Sequence, residues 1–372
     1  MKVGIVTMFY NSSNYGGILQ AYALTKVINK YDMEAEQINY NHLTAFSAKQ
    51  RMKMQLIKYV PFIKNPKNFK LLFKILKRSK VVLDASADLV PHSRKIYTEK
   101  NMYRCVPNYF AFVTGSDQVW HGEWSAYFLT FVPSGVKKIA YAVSTGKSRL
   151  SELDINKIQN CIGDFTAISV READTQRTLS DHISDKNIEL VLDPTLILER
   201  DEWEIIASPR KIEGAYLFCY FLGSDVRMRK LAKKYATKHK LKIVTIPHMQ
   251  GKIEKNDLGF GNLQLFDATP QDFLSFIKYA DIIFTDSFHA SVFSQIFQTQ
   301  YITFERTEHK EMNNRLITFT KMFHTEHRFI GKDDGFNLDY IEDIEKVDYS
   351  ISSSEYEDLK KRSLDFLINS LK

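Results

Sequence analysis

Short apolar segments alternate with amphipathic helical patterns along most of the chain, and this alternation constrains the fold more than any other feature. Repeats of this kind build parallel sheets that are covered by helices on both faces. The chain has 372 residues, too many for one ordinary core. We therefore predict two domains, residues 1–195 and 196–345, and a closing helix within 346–372. The predicted strands are Val3–Thr7, Ala35–Tyr40, Phe110–Thr114, Lys138–Val143, Ala167–Val170, Glu189–Leu192, Tyr216–Leu222, Lys242–Pro247, Asp281–Thr285 and Tyr301–Phe304.

The composition is that of an ordinary globular protein, with 44% hydrophobic and 26% charged residues. No window approaches the ~20 apolar residues that a membrane-spanning helix needs. The three cysteines, Cys105, Cys161 and Cys219, lie far apart and have neither a pairing pattern nor the spacing of metal ligands. This cysteine usage favours a reducing compartment, so we expect a cytoplasmic protein.

The net charge of +7 is concentrated in one segment of the predicted first domain, residues 49–80. No acidic residue lies between Glu36 and Asp84, whereas Lys49 to Lys80 contains eleven Lys and Arg residues. Apolar and basic residues alternate there at helical spacing, which predicts an amphipathic cationic helix. Its apolar positions are Phe69, Leu72, Phe73 and Leu76, and its basic positions are Lys70, Lys74 and Lys77. Such a helix either contacts an anionic membrane surface or is a solvated helix that covers the sheet.

Polar or glycine-containing steps follow several of the predicted strands, where parallel sheets bind their ligands. The first is Asn14-Tyr15-Gly16-Gly17, which leads into the first helix. Its glycines would let the backbone approach an anion at the helix N-terminus, or they form a tight turn for steric reasons. The segment is not the GxGxxG fingerprint of dinucleotide-binding proteins.

Two further steps carry charged residues. Gly115-Ser116-Asp117-Gln118-Val119-Trp120 ends a buried strand, so its polar groups must be hydrogen-bonded or face a cleft, unless Asp117 caps the next helix. Arg171 follows the strand Ala167–Val170. Its guanidinium is either a bidentate partner for a ligand carboxylate or phosphate, or a salt-bridge partner of Glu172 or Asp174.

The most informative step is Phe284-Thr285-Asp286-Ser287-Phe288-His289-Ala290, where a strand runs into a helix. We expect His289 in the first turn of that helix, where the helix dipole lowers the pKa of an imidazole and favours a nearby anion. A histidine in this setting can act as a general acid or base. The alternative is a helix-capping Asp286 or Ser287 beside a structural histidine. The other histidines lack ligand spacing such as HxxxH, and we predict no metal site.

Taken in order, six segments resemble the polysaccharide pyruvyl transferase family, and the resemblance runs from residue 1 to about residue 325. It rests on the ordered set, because no single segment is decisive. The segments are Asn14-Tyr15-Gly16-Gly17 with Leu19-Gln20-Ala21-Tyr22-Ala23-Leu24, Gly115 to Trp120, Tyr141-Ala142-Val143-Ser144-Thr145-Gly146, Ser169-Val170-Arg171-Glu172, Leu192-Asp193-Pro194-Thr195, and Thr285 to Ala290.

The resemblance implies an α/β fold with two Rossmann-like domains facing a central cleft, which is a GT-B-like arrangement. It implies transfer of a pyruvyl group from phosphoenolpyruvate onto two hydroxyls of a sugar, which forms a cyclic ketal and releases phosphate without a cofactor. The first domain would bind the acceptor and the second the donor.

We assign roles to individual residues from these segments and from the resemblance. The catalytic candidates are His289 and Asp117. The donor-binding candidates are Arg171, Ser287, Arg306, Arg315, Gly16 and Gly17. The acceptor-binding candidates are Asn14, Tyr15, Ser116, Gln118 and Trp120. Two positions depart from the family pattern: Ser287 stands where some members carry an arginine, and Thr145 stands where phenylalanine is more usual.

The resemblance also suggests partners and a location. A sugar acceptor of this kind is commonly carried on a lipid, which would bring the protein to the inner face of the cell membrane as a peripheral protein. We expect no nucleic-acid partner, because the basic residues are confined to one segment and no recognised nucleic-acid motif is present. A GT-B glycosyltransferase that uses a nucleotide sugar, and a carbohydrate-binding relative without catalysis, are the alternative functions.

Overall fold

The computed structural model describes residues 1–54, 69–121, 125–147, 149–248, 255–308, 313–334, 337–350 and 354–372. The chain forms two compact units. The first unit comprises Met1–Ile57, Leu83–Leu198 and Glu357–Lys372, and the second comprises Lys58–Val82 and Glu199–Tyr356.

The first unit is built around a sheet of seven parallel strands in the order β3-β2-β1-β4-β5-β6-β7. The central strands are almost completely buried, because helices cover both faces of a parallel sheet. The strands are β1 Lys2–Val6, β2 Glu34–Tyr40, β3 His92–Tyr97, β4 Ala111–Thr114, β5 Lys137–Val143, β6 Ala167–Val170 and β7 Ile188–Leu190. The helices of this region are α1 Tyr15–Asn29, α2 Phe69–Leu89, α3 Glu152–Ile162 and α4 Ala173–His182, with α11 Ser354–Leu371 near the C-terminus.

The second unit has its own parallel sheet of six strands in the order β10-β9-β8-β11-β12-β13. The strands are β8 Tyr216–Tyr220, β9 Lys242–Thr245, β10 Leu263–Gln264, β11 Ile282–Thr285, β12 Tyr301–Phe304 and β13 Phe329–Ile330. The helices are α5 Arg200–Ile206, α6 Val226–His239, α7 Pro270–Lys278, α8 Phe288–Phe297, α9 Asn314–Met322 and α10 Leu338–Asp343.

Both sheets follow the same Rossmann-like rule of construction. The order of the strands reverses between β1 and β4 in the first sheet and between β8 and β11 in the second. Open parallel sheets bind ligands at the carboxyl ends of the strands at such a switch point. The predicted α/β fold with two Rossmann-like domains is confirmed, and each unit has one position where its topology favours a ligand.

The starts of several helices are determined by local sequence signals. Ser151 and Asp154 form a reciprocal capping box at the start of α3, and Thr269 and Asp272 form another at the start of α7, where Pro270 occupies the first helical position. Capping of this kind satisfies backbone N–H groups that have no partner within the helix.

Two segments are grouped differently from the predicted domain ranges. The first half of α2 packs on the second unit: Ile75 lies against Phe266, and Arg78 Nη1 donates to the carbonyl of Pro247 at 2.6 Å. The C-terminal α11 belongs to the first unit, where Ser363 Oγ accepts from the Leu192 N–H at 2.8 Å. Residues 55–68 of the predicted basic segment lie outside the described residues.

Candidate active site

The second unit carries a polar step at its switch point, between β11 and α8. Ser287 is the N-cap of α8, with its Oγ accepting from the Ala290 N–H at 3.5 Å. His289 is the second residue of the helix and is 7% exposed. The structure therefore places His289 in the first turn, as the sequence predicts. It also uses the Ser287 hydroxyl to cap the helix, which was the alternative interpretation of that residue.

Asp286 joins the two strands that flank the switch point. Its side chain is buried; Oδ1 accepts from the Leu222 N–H and Oδ2 from the Gly223 N–H, both at 2.7 Å. These two amides belong to the loop after β8, so the carboxylate fixes that loop against the start of α8. The sequence pattern indicates only a helix-capping role for Asp286. A carboxylate directly after a buried strand is the signal that could have indicated this larger role.

Two arginines predicted to bind the donor reach the same step. The Arg306 Nε donates to the Asp286 carbonyl at 3.0 Å and lies 3.8 Å from its carboxylate. The guanidinium of Arg315 lies 5.7 Å from the centre of the Phe288 ring, a cation–π distance. Phe288 in turn contacts the imidazole of His289 edge-on, with ring centres 5.1 Å apart. The second unit thus gathers an imidazole, two guanidinium groups and a helix N-terminus around the start of α8.

The loop after β8 leaves no room for a side chain at Gly223. A Cβ there would lie 2.9 Å from the Asp286 Oδ2, so we expect Gly223→Ala to displace the carboxylate and lower the free energy of unfolding by about 1–3 kcal/mol. Urea denaturation measures this change. Gly163→Ala is the matched control, because its Cβ would meet no atom within 4 Å and its backbone is right-handed helical. Equal stability of the two variants would contradict the role given to Asp286.

The first unit carries its polar step in the loop after β4. Gly115 has a φ of +115°, and a Cβ there would lie 2.1 Å from the Tyr141 carbonyl oxygen, so only glycine fits. Gln20, a buried residue of α1, holds the loop because its Oε1 accepts from the Ser116 N–H at 3.1 Å and its Nε2 donates to Thr7 Oγ1 at 3.2 Å. Gln20 lies in one of the resembling segments, but the sequence pattern indicates no role for it.

Arg171 is the centre of a buried ionic cluster in the first unit. Its guanidinium pairs with Asp193 at 2.6 Å, Asp117 at 3.1 Å and Glu172 at 3.2 Å, and its side chain is 2% exposed. Burial lowers the pKa of Arg171, but the attraction of Asp193, Glu172 and Asp117 outweighs it, so the pKa lies above the ordinary arginine value. Such a guanidinium, already paired with three carboxylates, is poorly suited to hold a ligand anion as well. The salt-bridge alternative is present for Glu172. Asp174 forms an ion pair with Arg177 at 3.6 Å.

The acceptor-binding candidates divide by burial. Tyr15, Ser116 and Trp120 are buried, and Trp120 stacks on Phe128 with ring centres 5.3 Å apart. These three side chains belong to the core or to the polar network of the first unit, which does not favour direct contact with a sugar.

Four more candidates belong to the start of α1 or to the loop after β4. Asn14 and Gln118 are half-buried. Gly16 and Gly17 are buried in the first turn of α1, and a Cβ at Gly17 would make only ordinary contacts, 3.6 Å from Asn14. Steric crowding therefore does not explain the glycine at position 17.

The described residues contain no group of three or more His, Cys, Asp or Glu side chains placed to hold a metal ion. No helix within them is both long enough and apolar enough to cross a membrane.

Two Rossmann-like units, each with a parallel sheet and a polar step at its switch point, define a GT-B-like α/β protein. Solved structures with this fold include the UDP-GlcNAc 2-epimerase from Methanocaldococcus jannaschii, with a TM-score of 0.51 and 10% identity over 97% of this chain and 99% of that one. A putative UDP-N-acetylglucosamine 2-epimerase from Listeria monocytogenes has a TM-score of 0.50 and 11% identity over 99% of this chain and 88% of that one. At such low identity the similarity shows the fold alone.

The sequence itself identifies the family. The model of the polysaccharide pyruvyl transferase family matches residues 14–307. No protein with a curated description matches the chain in sequence. The chain belongs to the polysaccharide pyruvyl transferase family, and the suspected resemblance is confirmed.

Proposed function

We propose that the protein transfers the pyruvyl group of phosphoenolpyruvate onto two hydroxyls of a sugar in a bacterial polysaccharide precursor and forms a cyclic ketal. The observation that carries this proposal is the cluster at the start of α8, in a chain whose family acts in polysaccharide pyruvylation. The donor would supply one phosphate and one carboxylate to this cluster.

The cluster has the chemistry that a small donor with two anionic groups needs. The N-terminus of α8 offers backbone N–H groups and the positive end of a helix dipole. Arg306 and Arg315 place two guanidinium groups at this step beside the single carboxylate of Asp286. Arg306 and Arg315 are therefore the cations that we propose for the donor, and Arg171 is reassigned to a structural role.

The ionic cluster of the first unit suits a different task. Three carboxylates surround one guanidinium, so Asp117, Glu172, Asp193 and Arg171 together carry two negative charges when all are ionised. Such a cluster repels an anionic donor but accepts hydrogen bonds from sugar hydroxyls. We propose Asp117 as the base that removes a proton from an acceptor hydroxyl. Half-buried Asn14 and Gln118 are the remaining candidates for acceptor contacts.

The reaction balances with these groups alone. His289, protonated, gives its proton to the methylene carbon of phosphoenolpyruvate, which leaves an electrophilic carbon at the centre of the donor. One sugar hydroxyl attacks that carbon as Asp117 takes its proton, and the second hydroxyl then displaces phosphate. One of the two hydroxyl protons balances the proton that His289 gave to the methylene carbon. The other protonates the departing phosphate. Positioned acids and bases of this kind contribute about 10²–10⁴ to a rate.

Phosphate release tests the proposal directly. We expect the purified protein to release inorganic phosphate from phosphoenolpyruvate only when a suitable sugar diol is present, and to give a product heavier by the mass of a pyruvyl ketal. A panel of nitrophenyl glycosides and lipid-linked sugars provides the acceptors, and mass spectrometry identifies the ketal. Boiled protein and an acceptor lacking one of the two hydroxyls are the controls.

Nucleotide sugars separate this proposal from the glycosyltransferase alternative. Release of a nucleoside diphosphate from UDP- or ADP-sugars by the same preparation, with no phosphate released from phosphoenolpyruvate, would contradict the pyruvyl transfer. We further propose that the natural acceptor is carried on a lipid, so that the protein works as a peripheral protein at the cytoplasmic membrane face. Higher turnover with lipid-linked than with free acceptor sugars supports that step.

A further inference from the structure

The first half of α2 presents an outward face that combines apolar and cationic side chains. Phe73, Leu76, Lys77 and Lys80 follow the spacing i, i+3, i+4 and i+7, which places them on one side of a helix. Phe73 is 72% exposed and Leu76 is 48% exposed, and the lysines are exposed beside them. We call these four residues, together with the exposed Lys74, the outward face of α2.

The opposite face of the helix already has its packing partners. Ile75 is buried against Phe266, Arg78 is buried and bonded to the Pro247 carbonyl, and Val82 is fully buried. The sequence pattern places Phe73 and Leu76 on the apolar side of the helix and leaves open whether that side contacts a membrane or covers the sheet. In the structure Phe73 and Leu76 are exposed, whereas Ile75 and Arg78 are buried against the loops after β9 and β10.

The segment of the sequence that contains the outward face is strongly cationic. No acidic residue occurs from residue 37 to residue 83, and nine of the eleven basic residues between 49 and 80 are lysines. Lys77 pairs with Asp267 at 2.8 Å, yet its side chain is 62% exposed. Lys74 lies over the Phe266 ring at 4.4 Å and is also exposed. Lysine ammonium groups around an exposed phenylalanine and leucine match the headgroup region of an anionic bilayer, where the rings and alkyl chains enter and the charges stay at the surface.

We propose that the outward face of α2 docks the protein on an anionic membrane surface, with Phe73 and Leu76 entering the interface and Lys74, Lys77 and Lys80 contacting lipid phosphates. Nucleic acid is the weaker match, because a leucine offers no stacking surface and the exposed cations of this face are lysines without an arginine. The helix is attached to the loops that follow the carboxyl ends of β9 and β10, the same edge of the sheet that carries the start of α8. A lipid-carried acceptor would be held close to that edge, a consequence that rests on the proposed function.

Flotation with vesicles tests the docking without any substrate. We expect the protein to float with equimolar phosphatidylglycerol and phosphatidylcholine vesicles and to stay behind with pure phosphatidylcholine. Phe73→Ala with Leu76→Ala should weaken vesicle binding about tenfold, since apolar area no longer enters the interface. Lys77→Glu with Lys80→Glu should weaken it by at least about 25-fold, at about fivefold for each lysine removed.

Matched variants on other helices provide the controls. Lys230→Glu with Lys234→Glu makes the same charge change on exposed positions of α6, and Ile205→Ala removes an exposed apolar side chain from α5. Vesicle binding that falls equally in the α2 and α6 variants would overturn the proposal in favour of a general charge effect. Failure of the protein to float, or retention by single-stranded DNA that the α2 variants abolish, would overturn it as well. Circular dichroism verifies that each variant is folded. Vesicle binding needs neither phosphoenolpyruvate nor acceptor, so it can fail while pyruvyl transfer succeeds, and the reverse.

Discussion

Replacing His289 by glutamine is expected to reduce the turnover of phosphoenolpyruvate by about 10²–10⁴, with little change in the stability of the fold. Glutamine keeps a polar side chain of similar reach at the second position of α8, but it cannot deliver a proton to the methylene carbon of the donor. The Ser287 cap and the Asp286 bonds at the switch point do not involve the imidazole, so the helix should start at the same residue. Acceptor-dependent phosphate release measures the loss.

His327→Gln is the matched control for that experiment. His327 is an exposed histidine of the same unit and lies after α9, away from the polar step at the start of α8. We expect it to leave turnover unchanged. Near-normal turnover of His289→Gln would remove this histidine from the mechanism. A loss of turnover that is accompanied by a clearly lower melting temperature would indicate a structural histidine.

Replacing Arg171 by methionine is expected to destabilise the first unit by about 3–5 kcal/mol, which is the cost of removing one partner from a buried ionic cluster. Methionine fills a similar volume but leaves the carboxylates of Asp117, Glu172 and Asp193 facing one another without their cation. Their mutual repulsion and their burial both act against the folded state. Urea denaturation measures the change in the free energy of unfolding.

Two readouts separate this structural role from donor binding. Hydrogen exchange should increase in peptides from β4 and β6 and the loops that follow them, since Arg171 connects these segments. Arg177→Met is the control, because Arg177 is 71% exposed and pairs only loosely, at 3.6 Å, with Asp174; surface pairs of this kind contribute about 0–1 kcal/mol. A stable Arg171→Met variant with a raised KM for phosphoenolpyruvate would contradict the structural role and restore the donor clamp.

Much of the second unit's site could be predicted from the sequence, because its residues are close together along the chain. A buried strand, a polar step and an apolar helix follow one another from Ile282 to Phe297, and their order is sufficient to place His289 in the first turn of α8. Local capping by Ser287 follows from the same short segment. The link from Asp286 to Leu222 and Gly223 could not be predicted, because it joins positions 64 and 63 residues apart.

The first unit shows the opposite case. Its loops could be recognised as polar steps after strands, but the partners of their side chains could not. Arg171 has Glu172 beside it in sequence, yet its other carboxylates come from 54 and 22 residues away and meet it only because β4 and β6 lie in one sheet and the chain returns after β7. The polar neighbours of Trp120 predict an acceptor surface, whereas Trp120 is buried and stacks on Phe128.

The sequence by itself determined the order of the strands and helices, the α/β class, the family and the position of His289. Periodicity, helix caps and the ordered set of segments are local signals that can be read along the chain. The tertiary structure alone decided which charges neutralise one another and which face of α2 is exposed. The partners of a side chain depend on residues that parallel strand pairing brings together from distant parts of the chain. A pattern of apolar and basic positions predicts an amphipathic helix, but it does not specify the surface against which that helix packs.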